Sequence, residues 1–437
     1  MLNHLKVDLT KPIHFLGIGG IGMSALAQIL VEKGIPVTGS DLKGSSHLNI
    51  PLQSTMPSEG AVIYSSAIPS THPDYLLAIK EKRLLHRSLL LRDLLSEKKG
   101  LLVAGTHGKT GTSALLAWTL MVAEQDPTYA VGGILKNTEK NGGYGEGEYF
   151  VAEADESDGS FLNFYGEGAI VTNLEKEHLD HWKTESALIQ GFRSFMNNIA
   201  SPNLLFYCSD DPLLNEISPK GISYGHEGDL KMVACEQNGG ELQFDAEFEG
   251  HCYRKIRLPL FGRKLALNAL AVFGMALKLG IPEEKIRSAF CSFKGVKRRQ
   301  EWIGEKNRIN IYDDYAHHPT EIMALIEGFR AVYPKNRLIA LFQPHRYSRT
   351  QLLFSEFVEA LQLADLALLT EIYPAGEEAI PGLSSQELAR KLPNALFIGK
   401  QRLLSYLPKL LIPGDLLLTI GAGDITSFGP KILEALK

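Results

Sequence analysis

Cysteine is scarce in this chain of 437 residues, and its four copies, Cys208, Cys235, Cys252 and Cys291, stand far apart with no Cys-x-x-Cys pair. That spacing argues against a disulfide framework or a cysteine zinc site and fits a reducing, cytoplasmic setting. An excess of either charge is also missing: 45 basic residues face 50 acidic ones, for a net charge of −5. Such a balance suggests neither a nucleic-acid face nor an anionic membrane partner, so small anionic substrates would need local basic sites. Long hydrophobic runs are lacking too. The stretch 13–31 is interrupted by His14, Ser24, Gln28 and four glycines, and reads as a soluble strand-turn-helix, with no signal peptide or membrane insertion expected. There is no low-complexity tract and no short-period repeat. What remains is enough chain for about three domains of roughly 150 residues, each with ample core.

The stretch with the most chemistry is 101–123. An apolar run, Leu101 to Ala104, breaks into Gly105, Thr106, His107, Gly108, Lys109 and Thr110, with Gly111 opening a helical pattern. A strand feeding a glycine turn and then a helix aims backbone N–H groups and the positive helix end at one point. That point is a phosphate site, where Lys109 would reach the β- and γ-phosphates and Thr110 would give its hydroxyl to magnesium. The general P-loop has glycine five residues before the glycine-lysine pair, where this chain has Val103, so the turn is a tight variant.

An earlier loop, Gly17, Ile18, Gly19, Gly20, Ile21, Gly22, follows a strand at 13–16 and opens a helix reaching about residue 33. A second strand then ends at Ser40 and Asp41, about where a dinucleotide-binding unit keeps its ribose-binding acid. The loop would equally cradle the diphosphate of a UDP-sugar. Ser65 and Ser66 begin a loop at the carboxyl end of another strand, the usual ligand edge. Residues 87–97 read as a polar link to the next domain. Beyond the phosphate turn, a strand at 149–152 ends in Glu153, Asp155, Glu156 and Asp158, and one at 169–172 ends in Asn173, Glu175, Glu177, His178 and Asp180. Magnesium takes oxygen ligands and keeps several waters, so Thr110, Glu153 and His178 are candidate ligands. An acid-rich loop is commonly only a solvated turn, but these follow buried strands beside a phosphate site.

Alternating stretches between 204 and 260 suggest an antiparallel accessory sheet. Helices are expected at 265–279 and 283–290, and 295–299 is a basic hinge whose guanidinium groups could complete a phosphate site. Strands at 309–312, 338–342, 367–369, 395–398 and 416–420, separated by helical patterns, predict another parallel sheet. Polar clusters at 313–319, 343–349, 371–377 and 421–424 leave it on one edge.

The segments 17–24, 105–110, 153–161, 172–180, 295–299, 313–322, 342–350, 371–377 and 421–425, in this order, resemble the Mur ligase family over nearly the whole chain. The resemblance implies an α/β fold of three domains: a Rossmann-like UDP-sugar domain at 1–92, a P-loop central ATP domain at 93–294, and a Rossmann-like amino-acid domain at 295–437. It implies an ATP- and Mg2+-dependent ligase of peptidoglycan precursor synthesis, joining L-alanine to the carboxylate of UDP-N-acetylmuramate through an acyl phosphate, in a monomer or weak homodimer. Carried over by position, Gly17, Gly19, Gly20, Gly22, Met23, Ser24, Ser40, Asp41, Ser65 and Ser66 fall to the UDP-sugar. Residues 105–111 with Asn268, Arg299 and Asp314 fall to ATP, Arg299 on the γ-phosphate and Asp314 on the ribose. His345, Arg346 and Arg349 would hold alanine's carboxylate and orient its amine, an arginine fork being suited to a carboxylate.

The chain departs from the family in places. Where Gly-x-His-Asn-x-x-Asn is usual it has Gly262, Arg263, Lys264, Leu265, Ala266, Leu267, Asn268; Gln300 replaces a phenylalanine, Gly111 breaks a threonine run, and the stretch 50–60 is short. Three other readings stand beside the ligase. A nicotinamide dehydrogenase would explain the first glycine loop but not Lys109, a non-catalytic nucleotide-binding scaffold would bind ATP without turnover, and a recycling ligase would attach a whole peptide to the same sugar.

Overall fold

The computed structural model describes residues 6–41, 50, 52–53, 55–217 and 220–436, without the side chains of Leu179 and Asp180. Asp180, expected in the second acidic cluster, therefore lies outside the described side chains, as do residues 51 and 54 of the short stretch 50–60. The fold is α/β throughout, on three sheets.

The first sheet has four parallel strands, β1 (Ile13–Leu16), β2 (Val37–Ser40), β3 (Val62–Tyr64) and β4 (Leu84–His86), in the order β2-β1-β3-β4. All four residues of β1 are buried, as expected for a parallel strand covered on both faces. The stretch 87–97, expected as a polar link, is instead largely the helix Arg87–Leu95. Leu89, Leu90, Leu91, Leu94 and Leu95 are all buried there, and that apolar face outweighs the intervening charges.

The second sheet holds ten strands: β5 (Lys99–Ala104), β6 (Thr128–Leu135), β7 (Lys140–Gly143), β8 (Tyr149–Glu153), β9 (Gly168–Val171), β10 (Leu205–Cys208), β11 (Ile222–Gly225), β12 (Leu230–Asn238), β13 (Glu241–Phe248) and β14 (His251–Leu258). Their order is β14-β13-β12-β11-β10-β9-β5-β8-β6-β7. The stretches 242–244 and 253–258 are strands as expected, in β13 and β14, but the region 204–260 belongs to this one sheet, which corrects the expectation of an antiparallel accessory sheet. Strands β10, β11 and β12 continue the parallel array from β9, and β13 and β14 extend its edge. Strand β5 lies between β8 and β9, parallel to both, so the loops after all three leave the same carboxyl edge side by side.

The third sheet comprises β15 (Glu301–Lys306), β16 (Ile309–Asp314), β17 (Leu338–Phe342), β18 (Leu366–Leu369), β19 (Ala395–Phe397) and β20 (Leu416–Ile420), in the order β15-β16-β20-β17-β18-β19. Only β15 runs antiparallel to its neighbour. Successive residues of β17 go to opposite faces: Leu338, Ala340 and Phe342 join a core with Phe357, and Ile339 and Leu341 join one with Leu403. The chain forms two compact units, one of residues 1–235, 243–259 and 265–294, the other of 236–242, 260–264 and 295–437. Among the described residues no helix is long and apolar enough to cross a membrane.

Candidate active site

The phosphate turn links β5 to the helix Lys109–Val122. Gly108 caps that helix in the left-handed region, at φ +82°, and a side chain there would collide with the Asn268 amide nitrogen. Asn268, on the helix Arg263–Lys278, is thereby placed against the turn. The loop after β9 braces the turn from the other side. The Asn173 side chain accepts from the His107 amide at 2.8 Å, Thr172 Oγ1 donates to the His107 carbonyl at 2.7 Å, and the Glu175 amide donates to Thr106 Oγ1 at 2.9 Å. The His107 ring lies 3.2 Å from Glu175 Oε2. Gly111 has only ordinary contact to make, with Leu265.

Lys109 Nζ donates to the carbonyls of Gly105 at 2.6 Å and Thr106 at 3.2 Å, and to Glu156 Oε2 at 2.8 Å. Burial works against the Lys109 charge, but Glu156, Asp155 and Glu153 outweigh it and hold the ammonium above its ordinary range. Glu156 itself is pushed up to about 7, because burial dominates, Asp155 adds repulsion, and Lys109 offsets only part. Asp155 ends below its ordinary range, since Lys109, Arg87 and hydrogen bonds from Ser157 overcome its burial.

Thr110 Oγ1 donates to Glu153 Oε2 at 3.3 Å. Glu153 is held by Ser113 Oγ at 3.1 Å and by the Gly132 amide. A hydroxyl and an anchored carboxylate thus meet at the end of the phosphate turn, a donor set that suits magnesium. The third expected ligand, His178, has φ +56° and points Nε2 at Glu156 Oε1 and Glu177 Oε2, 3.7 Å from each.

At the first glycine loop, the amides of Gly17 and Ile18 donate to the Ser40 carbonyl at 2.8 and 3.1 Å, and the Gly19 amide to Asp41 Oδ2 at 2.9 Å. Asp41 therefore closes the loop itself. Gly20 is exposed, and Gly22 admits the Arg87 guanidinium, which a Cβ would meet at 2.9 Å. Met23 and Ser24 are buried, and the Ser24 hydroxyl serves the Ile21 carbonyl at 3.0 Å and the Asn141 amide at 2.9 Å. Ser65 and Ser66 form the turn after β3, Ser66 exposed.

In the second unit, Asp314 ends β16 with one oxygen on the Gln300 amide at 2.8 Å and the other on the Ala316 amide at 2.7 Å. Its burial outweighs Arg299 and these donors and raises its pKa to about 6. Arg299 and Arg298 both lie over the Tyr315 ring, at 5.2 and 4.7 Å from its centroid, within cation–π range. Arg298 also donates to the Gly421 carbonyl at 2.7 Å, whereas Arg299 comes within 3.8 Å of Glu321.

His345 follows β17 and stacks on Tyr373, with centroids 5.4 Å apart and planes at 11°. Backbone bonds of 2.8 Å from Arg346 to Tyr373 and from Tyr373 to Pro344 lock the two loops together. Burial, followed by the charges of His317, Arg349 and Arg346, brings the imidazole down to about 3, so it is neutral near pH 7. Its Nδ1 is buried and accepts no hydrogen bond. Arg346 is exposed at φ +71°, one residue before the short helix Tyr347–Leu352 that carries Arg349.

The chain matches three domain families in sequence order: the Mur ligase family catalytic domain over residues 12–99, the Mur ligase middle domain over 103–276, and the Mur ligase glutamate ligase domain over 298–423. It belongs to the Mur ligase family. It is 41% identical to the UDP-N-acetylmuramate--L-alanine ligase of Protochlamydia amoebophila, covering 97% of this chain and 98% of that one. The protein of that name from Anaeromyxobacter sp. is also 41% identical, at the same coverage. A UDP-N-acetylmuramate-alanine ligase structure from Thermotoga maritima superposes with a TM-score of 0.84 at 29% identity, over 97% of this chain and 98% of that one. A murein peptide ligase from Psychrobacter arcticus shares the fold, with a TM-score of 0.71 at 23% identity over 98% of each chain.

Within this Mur ligase, sequence reasoning leaves Glu156 as one acid among four and passes over Gly132 and Tyr373. Spacing does not say which acid of a loop will turn inward to a lysine. The Gly132–Gly133 pair inside a strand pattern carries a weak signal, because glycine in a strand often marks a close backbone approach. A Cβ on Gly132 would stand 2.6 Å from Glu153 Oε2.

Proposed function

We propose that the chain joins L-alanine to the carboxylate of UDP-N-acetylmuramate at the expense of ATP, the first amino-acid addition to the cytoplasmic peptidoglycan precursor. The observation that carries this reading is the near-full-length match to ligases of that name. The domains are taken as 1–92 for the sugar nucleotide, 93–294 for ATP and 295–437 for the amino acid. A monomer or weak homodimer suffices.

Two anions have to meet, a carboxylate and a triphosphate, and the chain supplies the compensating charge. Lys109 and the amides of the phosphate turn hold the β- and γ-phosphates, while Arg299 reaches the γ-phosphate. Thr110 and Glu153, with His178, would hold divalent metal, which when bound neutralises charge developing on the phosphoryl oxygens. The carboxylate attacks the γ-phosphate, ADP leaves, and an acyl phosphate remains. Arg346 and Arg349 take the carboxylate of alanine, and the neutral His345 faces an amine without adding a cation. The amine attacks the acyl carbon and phosphate departs. Gly17, Gly19, Gly20 and Gly22, with Ser40, Asp41, Ser65 and Ser66, form the sugar-nucleotide side, Met23 and Ser24 supporting it from within.

A coupled assay tests the reading. ADP release should require both UDP-N-acetylmuramate and L-alanine, and a peptide offered in place of alanine should leave it at background. Release without amide formation would overturn the proposal. Lys109→Ala should abolish turnover while UDP-sugar binding, measured by calorimetry, persists.

A further inference from the structure

Lys109 has three ammonium protons, and the chain takes all of them: Gly105 O, Thr106 O and Glu156 Oε2. A phosphate can bond to this lysine only if one of those partners gives way. The partners differ in what release would cost. The Thr106 carbonyl is the longest contact, at 3.2 Å, and lies at the turn. Glu156 is only 1% exposed, and its other oxygen, Oε1, is buried and accepts no hydrogen bond. Losing Lys109 would leave a buried carboxylate with neither oxygen satisfied, the costliest way to break a buried pair. The backbone pins Glu156 as well, its carbonyl accepting from the Trp182 indole at 3.0 Å and from the Gly159 amide at 3.1 Å.

Building on the ATP-dependent ligase reading, we propose that Glu156 is a positioning residue acting through Lys109. It keeps the ammonium anchored while ATP binds, so that the single N–H now on Thr106 turns to the transferring phosphoryl group. It also cancels part of the lysine's charge in the ground state. An unanchored lysine would grip the triphosphate harder but in a less fixed geometry, and binding that is uniform between ground and transition states does not raise turnover.

The test separates affinity from turnover in Glu156→Gln. Titration calorimetry with the β,γ-imido analogue of ATP, with magnesium and without sugar or alanine, should show binding about three- to tenfold tighter than in the parent chain. Turnover at saturating substrates should fall about a hundredfold. Glu156→Asp, which keeps the charge on a shorter arm, should recover part of the turnover and return affinity toward the parent value. Turnover within threefold of the parent, or weaker nucleotide binding in step with lost turnover, overturns the proposal. Should Glu156→Gln not fold, Glu156→Asp alone decides: reduced turnover with affinity unchanged or tighter supports it, and parallel losses overturn it. The calorimetric arm needs no ligase activity. A parent chain that binds the analogue but forms no amide would sink the functional reading and leave the affinity result for Glu156 standing.

Discussion

Gly108 is the residue on which the phosphate turn depends most directly. At φ +82° an L side chain costs roughly 1–2 kcal/mol of backbone strain, and here it would also strike Asn268. Gly108→Ala should therefore weaken ATP binding at least about tenfold in calorimetry while leaving UDP-sugar binding unchanged; unaltered ATP affinity would refute the assigned geometry. The turn was legible in the sequence because glycine, lysine and threonine at fixed spacing have few other uses. Glu156 was not, since its role comes from burial, which no spacing encodes. His345 offers a pH test at the same scale. Its folded pKa, about 3, lies below the ordinary 6.5, so the unfolded chain binds the extra proton more readily. Stability should be unaffected by this group above pH 6.5 and should be lost progressively as pH falls from there toward 3. His345→Gln should flatten that acid limb in urea melts at pH 4 to 7, and identical slopes for the two proteins would refute it.

Among elements, the strands most legible in the sequence are the buried, mostly apolar ones. β17 coincides with its expected span, because a parallel strand covered on both faces is a continuous hydrophobic run, and β20 coincides as well although Thr419 interrupts its run, the hydroxyl being satisfied by Asp313. The helix Arg87–Leu95 departs from the polar link its charges suggest, because its five leucines are all buried. The region 204–260 holds the expected strands at 242–244 and 253–258 but in a different sheet arrangement, for a different reason. Short alternating stretches announce strands but not their neighbours, and the parallel pairing of β10 with β9 depends on residues more than thirty positions apart. The candidate ligands Thr110 and Glu153 come together for the same topological reason, β8 lying next to β5, although nothing local in either segment mentions the other.

At the scale of the whole first unit, the first glycine loop and the 105–110 turn share a frame because the helix Ile21–Glu32 is clamped at both ends to the second sheet. At its start the Asn141 amide donates to the Ile21 carbonyl at 2.6 Å and to Ser24 Oγ at 2.9 Å. At its end Glu32 accepts from Lys140 Nζ and the Tyr144 amide, each at 2.7 Å. The backbone approach is close, for a Cβ on Gly142 would lie 2.6 Å from the Ala25 carbonyl oxygen. Both the first glycine loop and the β6–β7 pair are thus fixed to one helix, and β6 lies beside the strand that ends in Glu153. Asn141 is buried, so Asn141→Ala removes a donor from the buried Ser24 hydroxyl and another from the partly buried Ile21 carbonyl, and should cost about 1–3 kcal/mol. Hydrogen exchange across residues 21–32 should accelerate about tenfold or more, while exchange in β9 and β10, remote from the clamp, stays at the parent rate. Apparent affinity for UDP-N-acetylmuramate should fall with little change in nucleotide binding, because the phosphate turn is anchored separately by Thr172 and Asn173. Unchanged exchange in that helix would mean that burial alone holds it in place and that the two loops are aligned by some other contact.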